Sequence, residues 1–201
     1  MKNLLKENNE LRYALEILFF FALIAVDLLT KYLIDDVLLQ SKPYASYVVL
    51  DGIFTLSCHF NTGASFSILS GQITFLTIMP TIVTLGIIAL LVIRPNLPSN
   101  LRIGLILISA GAMGNVIDRI ALGHVRDFID YTFLKTWFGI DFAVGNVADL
   151  FLIGGVILLI VYIIFQFEDK DFYSKKKLEK YNAELALQEE NNQDSVLKDG
   201  E

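Results

Sequence analysis

The chain has 201 residues, of which 54% are hydrophobic and 19% charged, and it carries a formal net charge of −6. A soluble domain is about 45–50% apolar and about 25% charged, so this composition excludes a soluble enzyme, a secreted disulfide scaffold and a disordered chain. One cysteine, Cys58, cannot close an internal disulfide, and two histidines, His59 and His124, argue against a His-rich metal site, so neither a metal nor another cofactor is expected.

Crossing a hydrocarbon core of roughly 30 Å takes about 20 helical residues. The first predicted span covers 13–33 and holds the apolar run from Ile17 to Val26. Lys2, Lys6 and Arg12 precede it as they would in a signal peptide, but Asp27 and Lys31 stand where a small-residue cleavage site would follow, so it reads as an uncleaved helix. The 34–74 connection carries Tyr47-Val-Val-Leu50 and Phe54-Thr-Leu-Ser-Cys-His-Phe60 around Asp51-Gly52, a hairpin signature. A second span at 75–93 is closed by Arg94-Pro95-Asn96-Leu97-Pro98, a breaker-rich turn, and a third runs over 101–120. Tyr131, Phe133, Trp137 and Phe138 in the 121–149 connection suit a segment at the lipid–water boundary. A fourth span, 150–167, has no charge.

The expected organisation is a four-helix membrane domain over 1–167 and a polar tail over 168–201, helical near Leu178 and frayed beyond. The tail holds ten acidic and six basic residues, and nothing in the charge pattern points to nucleic acid. The termini and the 94–102 turn share eleven Lys and Arg, against five (Lys31, Lys42, Arg119, Arg126 and Lys135) on the other side. The positive-inside rule then puts both termini in the cytoplasm and the two long connections outside.

Ionisable groups at membrane depth are costly and raise a functional question by default. Asp27 and Lys31 stand four apart on the first helix, Asn115, Asp118 and Arg119 close the third, Asp127 follows it, and Asn146 and Asp149 open the fourth. Four segments thus deliver polar groups to one layer. Each has a plainer reading: an ion pair for Asp27–Lys31, boundary charges for Asp118 and Arg119, an N-cap for Asp149, a turn for Asn61-Thr62-Gly63. Asp35, Asp36, Asp130 and His124 read as loop residues. If Asp127 and Asp149 are neighbours and partly desolvated, they cannot both ionise; one pKa rises and the pair shares a proton, the arrangement of an aspartic protease.

These motifs resemble lipoprotein signal peptidase (signal peptidase II), a family of bacterial membrane aspartic proteases. The resemblance rests on Asp27-Leu-Leu-Thr-Lys31, Asn61-Thr-Gly-Ala-Ser-Phe-Ser67, Gly111-Ala-Met-Gly-Asn-Val-Ile-Asp-Arg119, Val125-Arg-Asp-Phe-Ile-Asp130 and Asn146-Val-Ala-Asp149, which follow the family's order. It implies four transmembrane helices with a small extracytoplasmic β-sheet platform, and a mobile segment over the active site near 129–143. It implies an inner-membrane, multi-pass enzyme that removes the signal peptide from diacylglyceryl-modified prolipoproteins, cutting before the lipidated cysteine. Membrane lipids are then its other partners, and the enzyme is expected to act as a monomer. By the same match Asp127 and Asp149 are the catalytic dyad, Asn61, Gly63, Asn115, Arg119 and Asn146 support the site or bind substrate, and Asp27, Lys31 and Asp118 are structural or orienting groups. The chain departs from the family at Gly145, where an aromatic is common, and a glycine there is expected to loosen the backbone approaching Asp149. Two rivals remain: a Ser–Lys protease using Lys31 with Ser65 or Ser67, and a non-enzymatic four-span transporter or scaffold.

Overall fold

The structure is a computed structural model and describes residues 2–43, 45–63, 71–165 and 179–183. Helix α1 (Lys2–Lys31) runs on into a π-helical segment, Tyr32–Leu38. Strands β1 (Ser46–Leu50) and β2 (Phe54–Asn61) follow, then helices α2 (Ile73–Ile93) and α3 (Ser99–Leu122). Strand β3 (Val125–Asp130), the short helix α4 (Thr132–Phe138) and helix α5 (Val147–Phe165) complete the fold. Four stretches, Glu10–Leu38, Ile73–Ile93, Ser99–Leu122 and Val147–Phe165, are long and apolar enough to cross a membrane, as the sequence predicts. The first extends past its expected end because the π-helical turn prolongs it. The chain forms two compact units, 1–159 and 160–201; the first holds the sheet and the polar layer, and the second includes a helical stretch at 179–183. The expected tail otherwise lies outside the described residues.

Helix α3 is the buried one. Ile106, Ala110 and Val116 are all but inaccessible, whereas Leu18, Phe21, Ile82, Leu85 and Ile157 on the other spans are exposed, as lipid-facing side chains are. Without a hydrophobic force between helices in lipid, close backbone approach supplies the packing. A Cβ on Gly155 would lie 2.6 Å from the Gly104 carbonyl, and one on Gly111 would run into the Ala148 carbonyl. Gly111→Ala is therefore expected to destabilise the fold by about 1–3 kcal/mol, read as a lowered unfolding temperature in detergent. Gly154→Ala, whose Cβ meets nothing within 4 Å, serves as the neutral control.

At the end of the bundle where α2 turns into α3, buried Arg102 grips both Glu16 carboxylate oxygens at 2.6 Å, from Nε and Nη2. Its Nη1 donates to the Leu91 and Arg94 carbonyls at 3.0 and 3.2 Å. It thus satisfies orphan acceptors at the C-terminus of α2 while tying that end to α1.

The sheet is antiparallel in the order β1-β2-β3. The hairpin predicted around Asp51-Gly52 joins its first two strands, and β3, drawn from the second connection, is a strand the sequence reading lacked. One register shift decides how the sheet serves the polar layer. Leu56 pairs with Ile129, but His59 pairs with Asp127 and Asn61 with Val125, so β2 carries one extra residue between Leu56 and His59. A one-residue slip moves every later side chain to the other face. Without this bulge, Asp127 would face Cys58 and Asn61 would lie on the opposite side; with it, Asn61 and Asp127 are diagonal neighbours on one face.

Candidate active site

Asn146 and Asp149 open α5 as a reciprocal cap. The Asn146 Oδ1 accepts from the Asp149 N–H at 3.1 Å, and the Asp149 Oδ2 accepts from the Asn146 N–H at 3.0 Å. This is the capping-box spacing, which satisfies orphan N–H groups of the first turn and fixes both side chains locally. Asn146, rather than Asp149, is the N-cap. Its amide nitrogen then donates to Asn115 Oδ1 at 3.0 Å and to Asp127 Oδ1 at 2.7 Å. Asn115, from α3, donates to Asp149 Oδ1 at 2.9 Å, and Asn61, from the end of β2, donates to Asp127 Oδ2 at 2.9 Å. Asn61 Oδ1 also takes the Gly63 N–H at 2.9 Å, an Asx turn that orients its amide. Each carboxylate therefore accepts two amide hydrogen bonds, and Asn146 bridges the two.

Asp127 is buried, and burial together with the charge of Asp149 pushes its carboxyl from the ordinary 3.8 up to about 7, although Asn61 and Asn146 pull the other way. Behind the pair lies a buried ion cluster. Lys31 Nζ donates to Asp27 Oδ2 at 2.8 Å and to Asn115 Oδ1 at 2.9 Å, and lies 3.5 Å from Asp118 Oδ2. Asp27 Oδ1 takes the Ala148 N–H at 2.9 Å, so it also caps α5. Held between two carboxylates and an amide oxygen, Lys31 is a structural counter-ion, poorly placed to be a general base. Ser65 and Ser67 lie outside the described residues.

A cavity of about 560 Å³ opens over the two carboxylates. Its lining joins the polar groups Asn61, Asn115, Arg119, Asp127 and Asp149 to the apolar side chains Phe75, Leu76, Met79 and Val83 of α2, Ile108 of α3, and Leu152 and Ile153 of α5. Arg119 Nη2 donates to the Gly63 carbonyl at 2.8 Å, while its buried Nε has no hydrogen-bond partner among the described residues. Tyr131 and Phe142, edge to face at 5.7 Å, close another side. Burial and the Asp149 charge raise the Tyr131 hydroxyl pKa, keeping it a neutral donor.

The predicted residues Asn61, Gly63, Asn115, Arg119, Asp127, Asn146 and Asp149 thus converge, with Asp27, Lys31 and Asp118 one layer behind. The sequence reading missed Arg126. Its guanidinium and backbone N–H grip Asp118, with Nη2 to Oδ1 at 2.8 Å and N to Oδ2 at 3.0 Å, while Nη1 reaches Asp36 at 2.9 Å. Only the alternation of β3 around Asp127 could have signalled it, by sending Arg126 to the other face. Asp36 is therefore tied down, and Asp35, expected in a solvated loop, is buried. The Cys58 thiol is buried as well, and desolvation followed by Asp35 pushes it up to about 12, so it carries no reactive thiolate at neutral pH. Gly145 is not loose: its N–H donates to the Ile129 carbonyl at 3.0 Å, and its carbonyl accepts from Phe128 and Ile129 at 2.8 and 2.7 Å.

The family described as signal peptidase (SPase) II matches residues 19–165. Among curated proteins, the lipoprotein signal peptidases of Staphylococcus aureus strains JH9 and Newman are 35% identical over 153 residues, covering 76% of this chain and 86% of theirs. A bacterial membrane enzyme solved by the in meso method at 2.3 Å superposes with a TM-score of 0.69 at 32% identity, over 78% of this chain and 92% of that one. A second such structure, at 1.9 Å, gives 0.64 at 33% identity, over 75% and 92%. Family match, helical layout and small antiparallel sheet agree: the chain is a membrane protein belonging to the signal peptidase II family.

Proposed function

We propose that the chain is an aspartic endopeptidase that removes the signal peptide from diacylglyceryl-prolipoproteins, cleaving before the lipidated cysteine, with Asp127 and Asp149 as its dyad. The observation that carries this reading is one residue, Asn146, bonded to both carboxylates, through its side-chain amide to Asp127 and its backbone N–H to Asp149, in the wall of a largely apolar cavity. Asp127, the more deeply buried, holds the shared proton and donates it as a hydrogen bond to the scissile carbonyl. Ionised Asp149 takes a proton from a water molecule, which attacks the carbonyl carbon directly, so no covalent intermediate forms. Arg119, with its unpartnered buried Nε, donates to a neighbouring substrate carbonyl; its rigid fork suits two acceptors at once. Asn61, Asn115 and Asn146 orient the dyad, Gly63 receives Arg119, and Asp27, Lys31 and Asp118 hold the three elements together.

The apolar side chains that α2, α3 and α5 give to the cavity suit acyl chains entering from the bilayer, which supports chemistry where lipid ends. With the termini in the cytoplasm, as the distribution of basic residues favours, that face is extracytoplasmic, and the peptidase domain covers 1–167 with a cytoplasmic tail after it. Nothing in the mechanism calls for a second subunit, so a monomer suffices.

The test is direct. The purified full chain, given a prolipoprotein with and without its diacylglyceryl group, is expected to release signal peptide only from the lipidated form, leaving a mature product that begins at the modified cysteine. Cleavage at another bond, or equal cleavage of both forms, overturns the assignment. The dyad also sets the pH response. The Asp127 proton is lost as pH rises through about 7, so kcat/KM is expected to fall on the alkaline side with an apparent pKa near that value, belonging to the pair. Undiminished kcat/KM well above neutrality contradicts a shared proton.

A further inference from the structure

Arg126 stands next to Asp127 on β3, yet it does not line the cavity, and no step of the mechanism above uses it. Its donors converge on Asp118: Nη2 to Oδ1 at 2.8 Å, Nε to Oδ2 at 3.3 Å and the backbone N–H to Oδ2 at 3.0 Å. Asp118 is 1% exposed, so its carboxylate cannot turn to water instead. Among the described residues its other ion-pair partner is Lys31, whose Nζ lies 3.5 Å from Oδ2. That ammonium sits closer to Asp27 Oδ2, at 2.8 Å, and to Asn115 Oδ1, at 2.9 Å. An ammonium on a flexible stem has no fixed fork, so the acceptors around it decide where it rests. The position of Lys31 reaches the two catalytic carboxylates through Asn115. Its Oδ1 accepts from Lys31 and from Asn146, which leaves the Asn115 amide nitrogen to donate to Asp149 Oδ1 at 2.9 Å. A reversed amide would set its N–H groups against both donors and its oxygen against a carboxylate.

We propose that Arg126 is a positioning residue for the dyad: by occupying the Asp118 carboxylate it keeps the Lys31 ammonium on Asn115, and Asn115 so held orients Asp149. This rests on the aspartic peptidase reading above. Without the guanidinium, Asp118 is a buried carboxylate left with one backbone donor, a costly state that draws the nearest cation. Lys31 then shifts towards Asp118 and away from Asn115, and the amide that faces Asp149 loses its fixed direction. The remaining arm of Arg126, Nη1 to Asp36 Oδ2 at 2.9 Å, ends on a carboxylate that is partly exposed and also held by the Ser41 hydroxyl. That arm anchors the π-helical segment and lies outside the relay.

The experiment measures kcat and KM of the full-length protein on a diacylglyceryl-prolipoprotein, for wild type, Arg126→Gln, Asp36→Asn and the double variant Arg126→Gln/Asp118→Asn. Arg126→Gln is expected to lower kcat by about 10- to 100-fold, the scale of a small misplacement made away from the chemistry. KM should change little, because Arg126 does not touch the cavity. The double variant is the decisive one. A neutral amide at 118 no longer draws the ammonium off Asn115, so kcat should rise about tenfold above the single variant, a coupling of ordinary size for residues in contact. A purely structural role predicts the reverse, since removing the second partner cannot restore what loss of the first destroyed. Asp36→Asn is expected to stay within about twofold of wild type, as befits a partly exposed ion pair. If Arg126→Gln does not fold, the same comparison is made on Arg126→Lys, with and without Asp118→Asn, because one ammonium cannot reproduce the fork over both Asp118 oxygens. A double variant no faster than its parent overturns the proposal, as do an unchanged kcat on losing the guanidinium and a loss confined to KM. Wild type releasing nothing from the lipidated substrate overturns the peptidase reading itself, so the two failures are distinct.

Discussion

Replacing either Asp127 or Asp149 by asparagine is expected to reduce signal-peptide release on the order of a thousandfold, the scale of losing a positioned general acid or base, while leaving the protein folded. Asparagine keeps the shape but can neither carry the shared proton nor accept one from water. At position 127 it turns an NH₂ towards Asn61 or Asn146, both of which donate to the carboxylate, at a cost of about 1–2 kcal/mol. Linkage works in the opposite direction. The folded carboxyl titrates near 7 rather than at 3.8, so between those values the native state holds a proton that the unfolded chain has released. The stability this group contributes is full below pH 4 and lost as pH rises through about 7. At pH 8 the ionised carboxylate opposes folding, and Asp127→Asn removes that penalty. The variant is therefore expected to unfold at a temperature close to or above that of the wild type at pH 8, measured in the same detergent. Substantial turnover by either asparagine variant overturns the aspartic mechanism; inactivity accompanied by unfolding at pH 8 contradicts the linkage.

Lys31→Met is expected to have the opposite signature, costing about 3–5 kcal/mol of stability, because it strands buried carboxylates that the ammonium neutralises. Asp27 and Asp118 would lose the ammonium that lies 2.8 and 3.5 Å from their oxygens, and Asn115 Oδ1 would lose one of its two donors, keeping only the Asn146 amide. The double variant Lys31→Met/Asp27→Asn should recover part of the loss, since an asparagine oxygen can still accept the Ala148 N–H. Chemical denaturation of the single and double variants measures the coupling. A Lys31→Met protein with unaltered stability but no activity would favour the Ser–Lys protease, in which the lysine is a base rather than a buried counter-ion.

Much of this was legible in the residues. The four spans follow from apolar run length, because a helix in lipid must bond its own backbone over the full hydrocarbon thickness. The hairpin at Asp51-Gly52 and the polar layer follow from local chemistry, as does the pairing of Asp27 with Lys31, a contact between residues one turn apart. Even the clasp between Asn146 and Asp149 is an i, i+3 relation readable from spacing. What the tertiary structure decided is non-local. The extra residue in β2 brings Asn61 onto the face of Asp127, and β3 sends Arg126 to Asp118 and Asp36 instead. Asp35 becomes buried rather than solvated, and Gly145 is held taut against Ile129. Periodicity records which side of its own element a residue occupies; which residue of another element it meets depends on strand register and helix approach, and those are set only when the elements pack.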